Sequence, residues 1–300
     1  MQTLRRLLAL VVCSAGGFIT PGGLELAEVA GLKKYGHYTT SAEALYNLIQ
    51  ILRMTQGFAG MTAEARQKYF PDVDPSVDSL LTRKAAERLW ARIQSKMVQP
   101  PAEKGGPGHS AGILAVDEHG NVAVILHSCN GILWGATGIF VDGISIPDSA
   151  VFQQRAIAEA GPGVRLPEST NPLLVLKGGK PVLASVAIGS ALHDATLENL
   201  INVLDFGMDP ETSVNQPNTR GPYMGVVANA SGKPEYEKEA IGEGEFSQSV
   251  LDGVEARGQP IKLVPKYGQP GYWIGIQIDP SAHKLKGATT PLLPALVESY

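Results

Sequence analysis

The chain has 300 residues, of which 44% are hydrophobic and 18% charged, and its formal net charge is -4. This length suits one large domain or two small ones, and the composition is ordinary for a soluble globular protein. Nucleic acid is excluded as the main partner, because phosphate binding needs clustered positive charge and the sequence has no long basic run. No stretch of about 18 apolar residues occurs, so we expect no membrane span.

The N-terminal segment allows two interpretations. Met1–Arg6 carries two arginines and Leu7–Val12 is apolar, as in a short secretory signal, although no A-x-A cleavage site follows. The interpretation that we prefer is an amphipathic helix that ends at Gly16-Gly17. The two cysteines lie outside any C-x-x-C pattern and leave the redox compartment undetermined. We favour a cytoplasmic location, with a periplasmic or secreted one as the alternative.

The first third of the chain has the spacing of helices. Apolar residues recur at helical intervals from Ser41 to Met54, with Ser41 as a candidate N-cap, and again from Thr82 to Met97. The breakers in Pro71–Pro75 predict a loop between these helices. Gln99–Gly108 reads QPPAEKGGPG and is predicted to be a linker.

After the linker the pattern changes to short β-rich runs. Ile113–Val116 and Val122–Leu126 flank the turn residues Asp117–Asn121, which predicts a β-hairpin. Helices followed by hairpins, a helix and a strand indicate an α+β layered fold. The later elements that we predict are a second hairpin (Leu173–Leu176 with Val182–Val186), a helix (Leu192–Phe206) and a strand (Tyr272–Ile278).

The junction of the linker and the first hairpin is the best candidate for chemistry. The linker ends at Gly108-His109 and the hairpin begins just after Ser110. If the backbone were cut before Ser110, one residue would carry both a hydroxyl and an α-amino group with a pKa of about 7.7–8.0, which can act as the base. The structural alternative is a serine that merely starts a hairpin. The six histidines lack metal spacing and no G-x-S-x-G elbow occurs, so we expect neither a metal nor a hydrolase-type triad.

Further segments with recognisable sequence are Gly16–Thr20, Tyr38–Leu52, Gly108–Gly112, Val116–Val124, Asn171–Leu183, Asn202–Asp209 and Gly287–Thr289. In this order they resemble the γ-glutamyltranspeptidase family over about residues 15–292. That resemblance implies an αββα sandwich of the N-terminal nucleophile hydrolase type, with self-cleavage before the nucleophile. It divides the chain into a helical large-subunit-like part, 1–109, and a small-subunit-like catalytic part, 110–300, which form one joint domain. It also implies that the family's first part is missing here and is supplied by a second polypeptide, or that the chain is a shortened relative.

The resemblance assigns roles to five residues. Ser110 falls on the nucleophile, which is usually threonine in the family, and Ser128 falls on the second hydroxyl that supports it. Asn130 matches the asparagine that holds the substrate α-amino group. Ile188 and Gly189 match the paired glycines whose backbone N–H groups form the oxyanion hole, and backbone donors can survive loss of one glycine. The structural alternative for Ser128 and Asn130 is polar capping of a strand end.

Two other positions depart from the family in substrate recognition. Its cluster that grips the glutamyl α-amine becomes Pro147–Ala150, where Asp148 is the candidate substitute. Its paired serines for the α-carboxylate become Glu168-Ser169, and a glutamate repels a carboxylate. The structural alternative for Glu168 is a solvated loop residue. We therefore expect a substrate other than a standard γ-glutamyl compound.

The function that we expect is that of an amidohydrolase or acyltransferase acting on a small amide or peptide, without metal or organic cofactor. The alternative is an unprocessed, non-catalytic paralogue or subunit that binds a partner chain.

Overall fold

The computed structural model of the chain describes residues 16–95, 110–128, 137–147, 154–164, 170–222, 238–266, 271–279, 281–282, 284–291 and 295–298. The chain forms two compact units. The first unit comprises Met1–Gly17, Lys104–Leu192 and Pro270–Tyr300, and the second comprises Phe18–Glu103 and His193–Gln269.

The described residues form both helices and strands, which confirms the α+β expectation. The helices are α1 (Gly16–Ala30), α2 (Ala42–Gly60), α3 (Ala63–Tyr69), α4 (Arg83–Gln94), α5 (Gln154–Ala160), α6 (Leu192–Leu200), α7 (Pro210–Val214) and α8 (Gln248–Ala256). The strands are β1 (Ser110–Val116), β2 (Val122–Ser128), β3 (Phe140–Val141), β4 (Ile144–Ser145), β5 (Leu173–Lys177), β6 (Lys180–Gly189), β7 (Thr219–Pro222), β8 (Glu239–Gly242), β9 (Ile261–Val264), β10 (Gly271–Asp279) and β11 (Lys284–Thr289).

Local capping chemistry accounts for the starts of the predicted helices. The Ser41 side chain accepts a hydrogen bond from the backbone N–H of Ala44, so the predicted N-cap of α2 is confirmed. Thr82 does the same for Ala85 at the start of α4. In each helix one backbone donor that has no partner within the helix is satisfied by a side chain three residues earlier.

The prediction that the first helix ends at Gly16-Gly17 is wrong, because α1 runs from Gly16 to Ala30. Its glycines serve packing rather than termination. A Cβ on Gly22 would lie 2.9 Å from the Cβ of Leu80, and one on Gly23 would lie 2.8 Å from Cδ2 of Leu197. The helix therefore approaches its neighbours more closely than any side chain would allow. The amphipathic or signal segment before residue 16 and the predicted linker at 99–108 lie outside the described residues.

Two sheets of the first unit pack face to face. β1 and β2 form an antiparallel pair, and β11, β10, β6 and β5 form a four-stranded antiparallel sheet in that order. β6 packs against both β1 and β2. The larger sheet is fixed by Trp273, which is fully buried and donates from Nε1 to Ser185 Oγ at 2.6 Å. Both predicted hairpins and the predicted strand at 272–278 are confirmed.

The second unit combines the helices with a small sheet in the order β7, β8, β9. β8 and β9 run parallel, and α8 connects them and packs against α2. A parallel pair needs such a crossover, because a tight turn can join only antiparallel strands. The core of this unit is built mainly from α1, α2, α4 and α8, and its largest fully buried side chains include Phe58, Leu45 and Leu48.

The predicted helix at 192–206 is confirmed, but its polar face is buried. α6 is followed by a π-helical segment, Ile201–Asp205, in which the Phe206 N–H donates to the Ile201 carbonyl at 3.2 Å. Asp194, Glu198 and Asn202 are spaced four residues apart and are 2%, 1% and 1% exposed. Such a stripe usually faces water. Here each of its members has a hydrogen-bond partner elsewhere in the second unit.

Asn202 connects the π-helical segment to residues 37–38. Its Oδ1 lies 2.8 Å from Nε2 of His37, and its Nδ2 donates to the Tyr38 hydroxyl at 3.1 Å. Since an amide oxygen can only accept, His37 carries its proton on Nε2, while Thr39 Oγ1 lies 2.7 Å from Nδ1. Burial lowers the pKa of His37, and the hydrogen bond to Asn202 opposes that shift.

Three carboxyl groups are buried near one another in the second unit. Asp194 and Glu198 lie on α6 and Glu239 lies on β8. Burial raises the pKa of Asp194 to about 6 and that of Glu239 to about 7, and it holds the pKa of Glu198 well above its ordinary value. Mutual repulsion adds to the rise for Glu198 and Glu239. These groups therefore bind protons at higher pH than free carboxyls do.

Each of these carboxyls accepts hydrogen bonds from residues outside its own helix or strand, which limits the free-energy cost of burying it. The donors are Arg53 Nε and Nη2 to Glu239 Oε2 (3.1 and 2.9 Å), Gln56 Nε2 to Asp194 Oδ2 (3.1 Å), and the N–H and Oγ1 of Thr219 to Glu198 Oε1 (3.0 and 2.5 Å).

Replacing Asn202 by alanine should lower the free energy of unfolding by about 2 to 4 kcal/mol, because the half-buried His37 Nε2 and the buried Tyr38 hydroxyl lose their partner. Urea unfolding at neutral pH measures this change. Asn215→Ala is the matched control, since Asn215 is exposed and its side chain donates to the carbonyl of Glu211. Equal losses in the two variants would contradict the bridging role of Asn202.

The buried carboxyls should make the protein less stable as the pH rises from about 4 to about 7. Their pKa values are higher in the folded than in the unfolded chain, so the folded form keeps protons that the unfolded form has lost. For Asp194, a rise from 3.8 to about 6 corresponds to roughly 3 kcal/mol over this range. Asp194→Asn should remove that part of the decline, as measured by urea unfolding at several pH values.

The control for this pH series is Asp78→Asn, which removes an exposed carboxyl and should leave the slope of stability against pH unchanged. If Asp194→Asn followed the wild-type curve at every pH, the link between Asp194 and pH-dependent stability would be refuted.

Candidate active site

The first hairpin places Ser110 directly opposite Ser128. Ser110 is the first residue of β1, Ser128 is the last residue of β2, and the two are Cα partners in the antiparallel register. Opposed residues in such a pair have Cβ atoms about 4.5–5.5 Å apart. Both serines are half-buried. They lie on the half-buried face of the hairpin, and the alternate residues along each strand form its exposed face. The structure therefore brings the expected nucleophile and the expected second hydroxyl together on one surface.

The turn of this hairpin sets that register. Asp117 Oδ1 accepts from the N–H groups of His119 and Asn121 at 2.9 and 2.8 Å, and the Asn121 side chain donates to Asp117 Oδ2 at 2.7 Å. Gly120 has a φ of +80°, in the left-handed region that favours glycine. A slip of one residue would turn Ser128 to the opposite face, so the turn determines which surface carries the hydroxyl.

Ile188 and Gly189 are the last two residues of β6, opposite Tyr272 and Gly271 of β10. Gly189 has a φ of +94°, which side chains rarely adopt, so the strand leaves the sheet at a position that requires glycine. β6 is the strand that packs against β1 and β2. The two residues matched to the oxyanion-hole glycines are therefore at the end of the strand that supports the hairpin.

The predicted substrate-binding residues lie outside the described residues. This applies to Asn130, Asp148, Glu168 and Ser169, whose roles remain predictions. Of the eight predicted site residues, the structure places four: Ser110 and Ser128 face each other, and Ile188 is followed directly by Gly189.

Sequence reasoning missed the buried carboxyls of the second unit. Carboxyl groups with raised pKa values often mark functional sites, although structural networks produce the same effect. The only signal in the sequence was the i, i+4 spacing of Asp194 and Glu198, which is more typical of a solvated helix face. Glu239 and Arg53 are far from them in sequence, and nothing local connects them to α6.

Neither a metal site nor a membrane segment is found in the described part of the chain. No group of three or more His, Cys, Asp or Glu side chains there could hold a metal ion. None of the helices formed by the described residues is both long and apolar enough to cross a bilayer.

Comparison with solved structures identifies the fold. A cephalosporin acylase from Bacillus halodurans aligns over 95% of this chain and 51% of its own, with a TM-score of 0.68 and 18% identity. The γ-glutamyltranspeptidase from Pseudomonas nitroreducens aligns over 65% of this chain and 99% of its own, with a TM-score of 0.47 and 18% identity. The first of these similarities shows the fold, and the expected fold class, α+β of the N-terminal nucleophile hydrolase type, is confirmed.

Comparison with sequences identifies the family. The glutathione hydrolase proenzyme of Pseudomonas sp. (strain A14) is 24% identical over 239 residues, which are 72% of this chain. The chain spans 40% of the length of that relative. The model of the gamma-glutamyltranspeptidase family matches residues 7–291, and this chain therefore belongs to the gamma-glutamyltranspeptidase family.

Proposed function

We propose that the chain cleaves itself before Ser110 and then uses the Ser110 hydroxyl as the nucleophile in hydrolysis or acyl transfer at an amide bond. The observation that carries this proposal is the register that opposes Ser110 and Ser128 at the open end of the first hairpin. Membership of the family supports it independently. A serine that merely starts a strand would need no second hydroxyl directly across the ladder.

Cleavage would add one water across the peptide bond between His109 and Ser110, leaving a carboxylate on His109 and a free amine on Ser110. An α-amino group has an ordinary pKa of about 7.7–8.0, so near neutral pH a substantial fraction is unprotonated and can accept a proton. The hydroxyl and its base then belong to one residue. This arrangement explains why a functional site here requires no histidine–carboxylate pair.

The catalytic cycle follows from these two groups. The Ser110 oxygen attacks the substrate carbonyl carbon, its proton passes to the α-amine, and the amine returns the proton to the leaving nitrogen. Backbone N–H groups of Ile188 and Gly189 stabilise the charge on the carbonyl oxygen. Water, or an acceptor amine in the transferase reaction, then attacks the ester on Ser110 and releases the acyl group.

The substrate in this proposal is an amide or peptide whose acyl group is not a standard γ-glutamyl group. Glu168 stands where the family has a serine for the α-carboxylate, and a carboxylate there would repel that group. We propose that Glu168 selects a neutral or cationic acyl group and that Asn130, Asp148 and Ser169 also bind the substrate. One relative of the same fold is named a cephalosporin acylase.

We also propose that a second polypeptide, carrying family sequence that this chain does not contain, packs on the outer face of the first hairpin. That face is apolar and exposed: Ile113 and Ile125 are directly opposite each other and 61% and 55% exposed. Exposed apolar faces of this kind mark interaction sites. The same face favours the second candidate function, a non-catalytic subunit that binds a partner chain.

Intact-mass analysis and N-terminal sequencing of the purified protein test the nucleophile. The wild type should give two fragments, the second beginning Ser-Ala-Gly-Ile, and Ser110→Ala should remain one chain without amide turnover. Ser110→Thr should still be cleaved, because threonine carries the same hydroxyl. Ser249→Ala, at an exposed serine on α8, is the matched control and should behave as wild type. A wild-type chain that stays intact and turns over amides no faster than Ser110→Ala would favour the non-catalytic alternative.

Glu168→Ser tests the selection of the acyl group. Removing the like charge should raise kcat/KM for a γ-glutamyl anilide by roughly tenfold, which corresponds to about 1.4 kcal/mol. Turnover of an anilide with a neutral acyl group should change much less. Glu211→Ser, at an exposed glutamate on α7, controls for the change in net charge. An unchanged γ-glutamyl rate in Glu168→Ser would remove Glu168 from substrate selection.

A further inference from the structure

Gly112 lies where β1 packs against β6. It is two residues after Ser110 and on the same half-buried face of the hairpin. A Cβ at this position would lie 2.7 Å from Cγ1 of Val186 and 3.4 Å from Cδ1 of Ile274. The first of these distances is shorter than real Cβ contacts, so any side chain here would push the two sheets apart.

The backbone conformation of Gly112 does not explain why glycine is needed. Gly112 is not among the glycines with positive φ, so an L-residue could adopt its conformation. What glycine provides here is the absence of a side chain. Glycine is required because β1 and β6 lie close together here. A substitution should therefore act by increasing the distance between these two strands.

The opposing surface has little freedom to yield. Val186 is fully buried, and its β-branched side chain has few rotamers. Val186 is also paired with Ile274 in the ladder between β6 and β10, so the two side chains that would meet a Cβ on Gly112 belong to one rigid sheet. A methyl group at 112 would therefore move β1 rather than β6.

The two parts of the candidate site, Ser110 on β1 and Ile188 with Gly189 on β6, begin two residues along their strands from this contact. Ser110 is two residues before Gly112, and Ile188 is two residues after Val186 on the same face of β6. Two residues of a strand span about 6.6 Å. A displacement of β1 at Gly112 is thus passed directly to Ser110, while Ile188 and Gly189 stay fixed in the larger sheet.

We propose that Gly112 is a positioning residue that sets the separation between Ser110 and the backbone N–H groups at the end of β6. The proposal rests on the proposed function of Ser110. Misplacement of a reacting group by about 1 Å can reduce the rate about a hundredfold, so the added methyl group should affect the chemical step far more than substrate binding.

The test compares wild type with Gly112→Ala, Val186→Ala and the double variant. The readouts are the rate at which the fragment beginning at Ser110 forms, kcat and KM for an amide that the wild type hydrolyses, and Tm. Gly112→Ala should slow cleavage and lower kcat by about 10- to 100-fold with KM within about threefold. Val186→Ala removes the methyl groups that a Cβ on residue 112 would meet, so the double variant should regain most of the lost kcat.

Val186→Ala alone is the control for stability, because it lowers Tm by leaving a cavity but should keep kcat within about threefold. If Gly112→Ala does not fold, recovery of a folded, active double variant supports the proposal. Wild-type kcat in a folded Gly112→Ala, or a double variant slower than Gly112→Ala, would overturn it. A wild type that neither cleaves itself nor turns over amides would overturn the proposed function, and the positioning role with it.

Discussion

The close packing of β1 against β6 is the constraint on which the candidate site depends. β6 is held in its sheet by the ladder to β10 and by the buried hydrogen bond from Trp273 to Ser185. Gly112 then allows β1 to rest directly on this sheet. With β1 in place, the turn at Asp117 fixes β2, and the register carries Ser128 to Ser110. Each of these contacts limits the positions that the next strand can adopt.

The proposed mechanism and the buried carboxyls would respond to pH in opposite directions. The amine expected on a processed Ser110 acts as a base only when it has lost its proton, so catalysis would improve as the pH rises towards 8. The carboxyls of Asp194 and Glu239 stabilise the second unit most when they are protonated. If the proposed mechanism holds, the pH range of activity is bounded below by protonation of the Ser110 amine and above by the loss of stability that comes from the buried carboxyls.

Local patterns predicted the elements whose causes are local. The caps at Ser41 and Thr82 and the turn at Asp117 depend on residues within four positions. The cap at Ser41 and the turn were predicted from the sequence, whereas Thr82 was predicted only as the start of a helix. The course of α1 could not be predicted from the sequence, because its glycines pack against Leu80 and Leu197, which are distant in sequence. The buried carboxyls were missed for the same reason. Composition and spacing indicated Ser110 only as one candidate nucleophile. The roles of the predicted site residues came from the family resemblance.

Among the described residues, Ser110 is the first paired residue of its ladder, and this limits what a backbone cut before it would disturb. Every strand pairing of β1 lies at or after Ser110, so breaking the preceding peptide bond would remove none of them. The Ser110 hydroxyl would keep its place opposite Ser128, and the new amine would form on a residue that the neighbouring strand already holds. If the proposed cleavage occurs, the described hairpin would therefore not have to re-form its pairing when the peptide bond is broken.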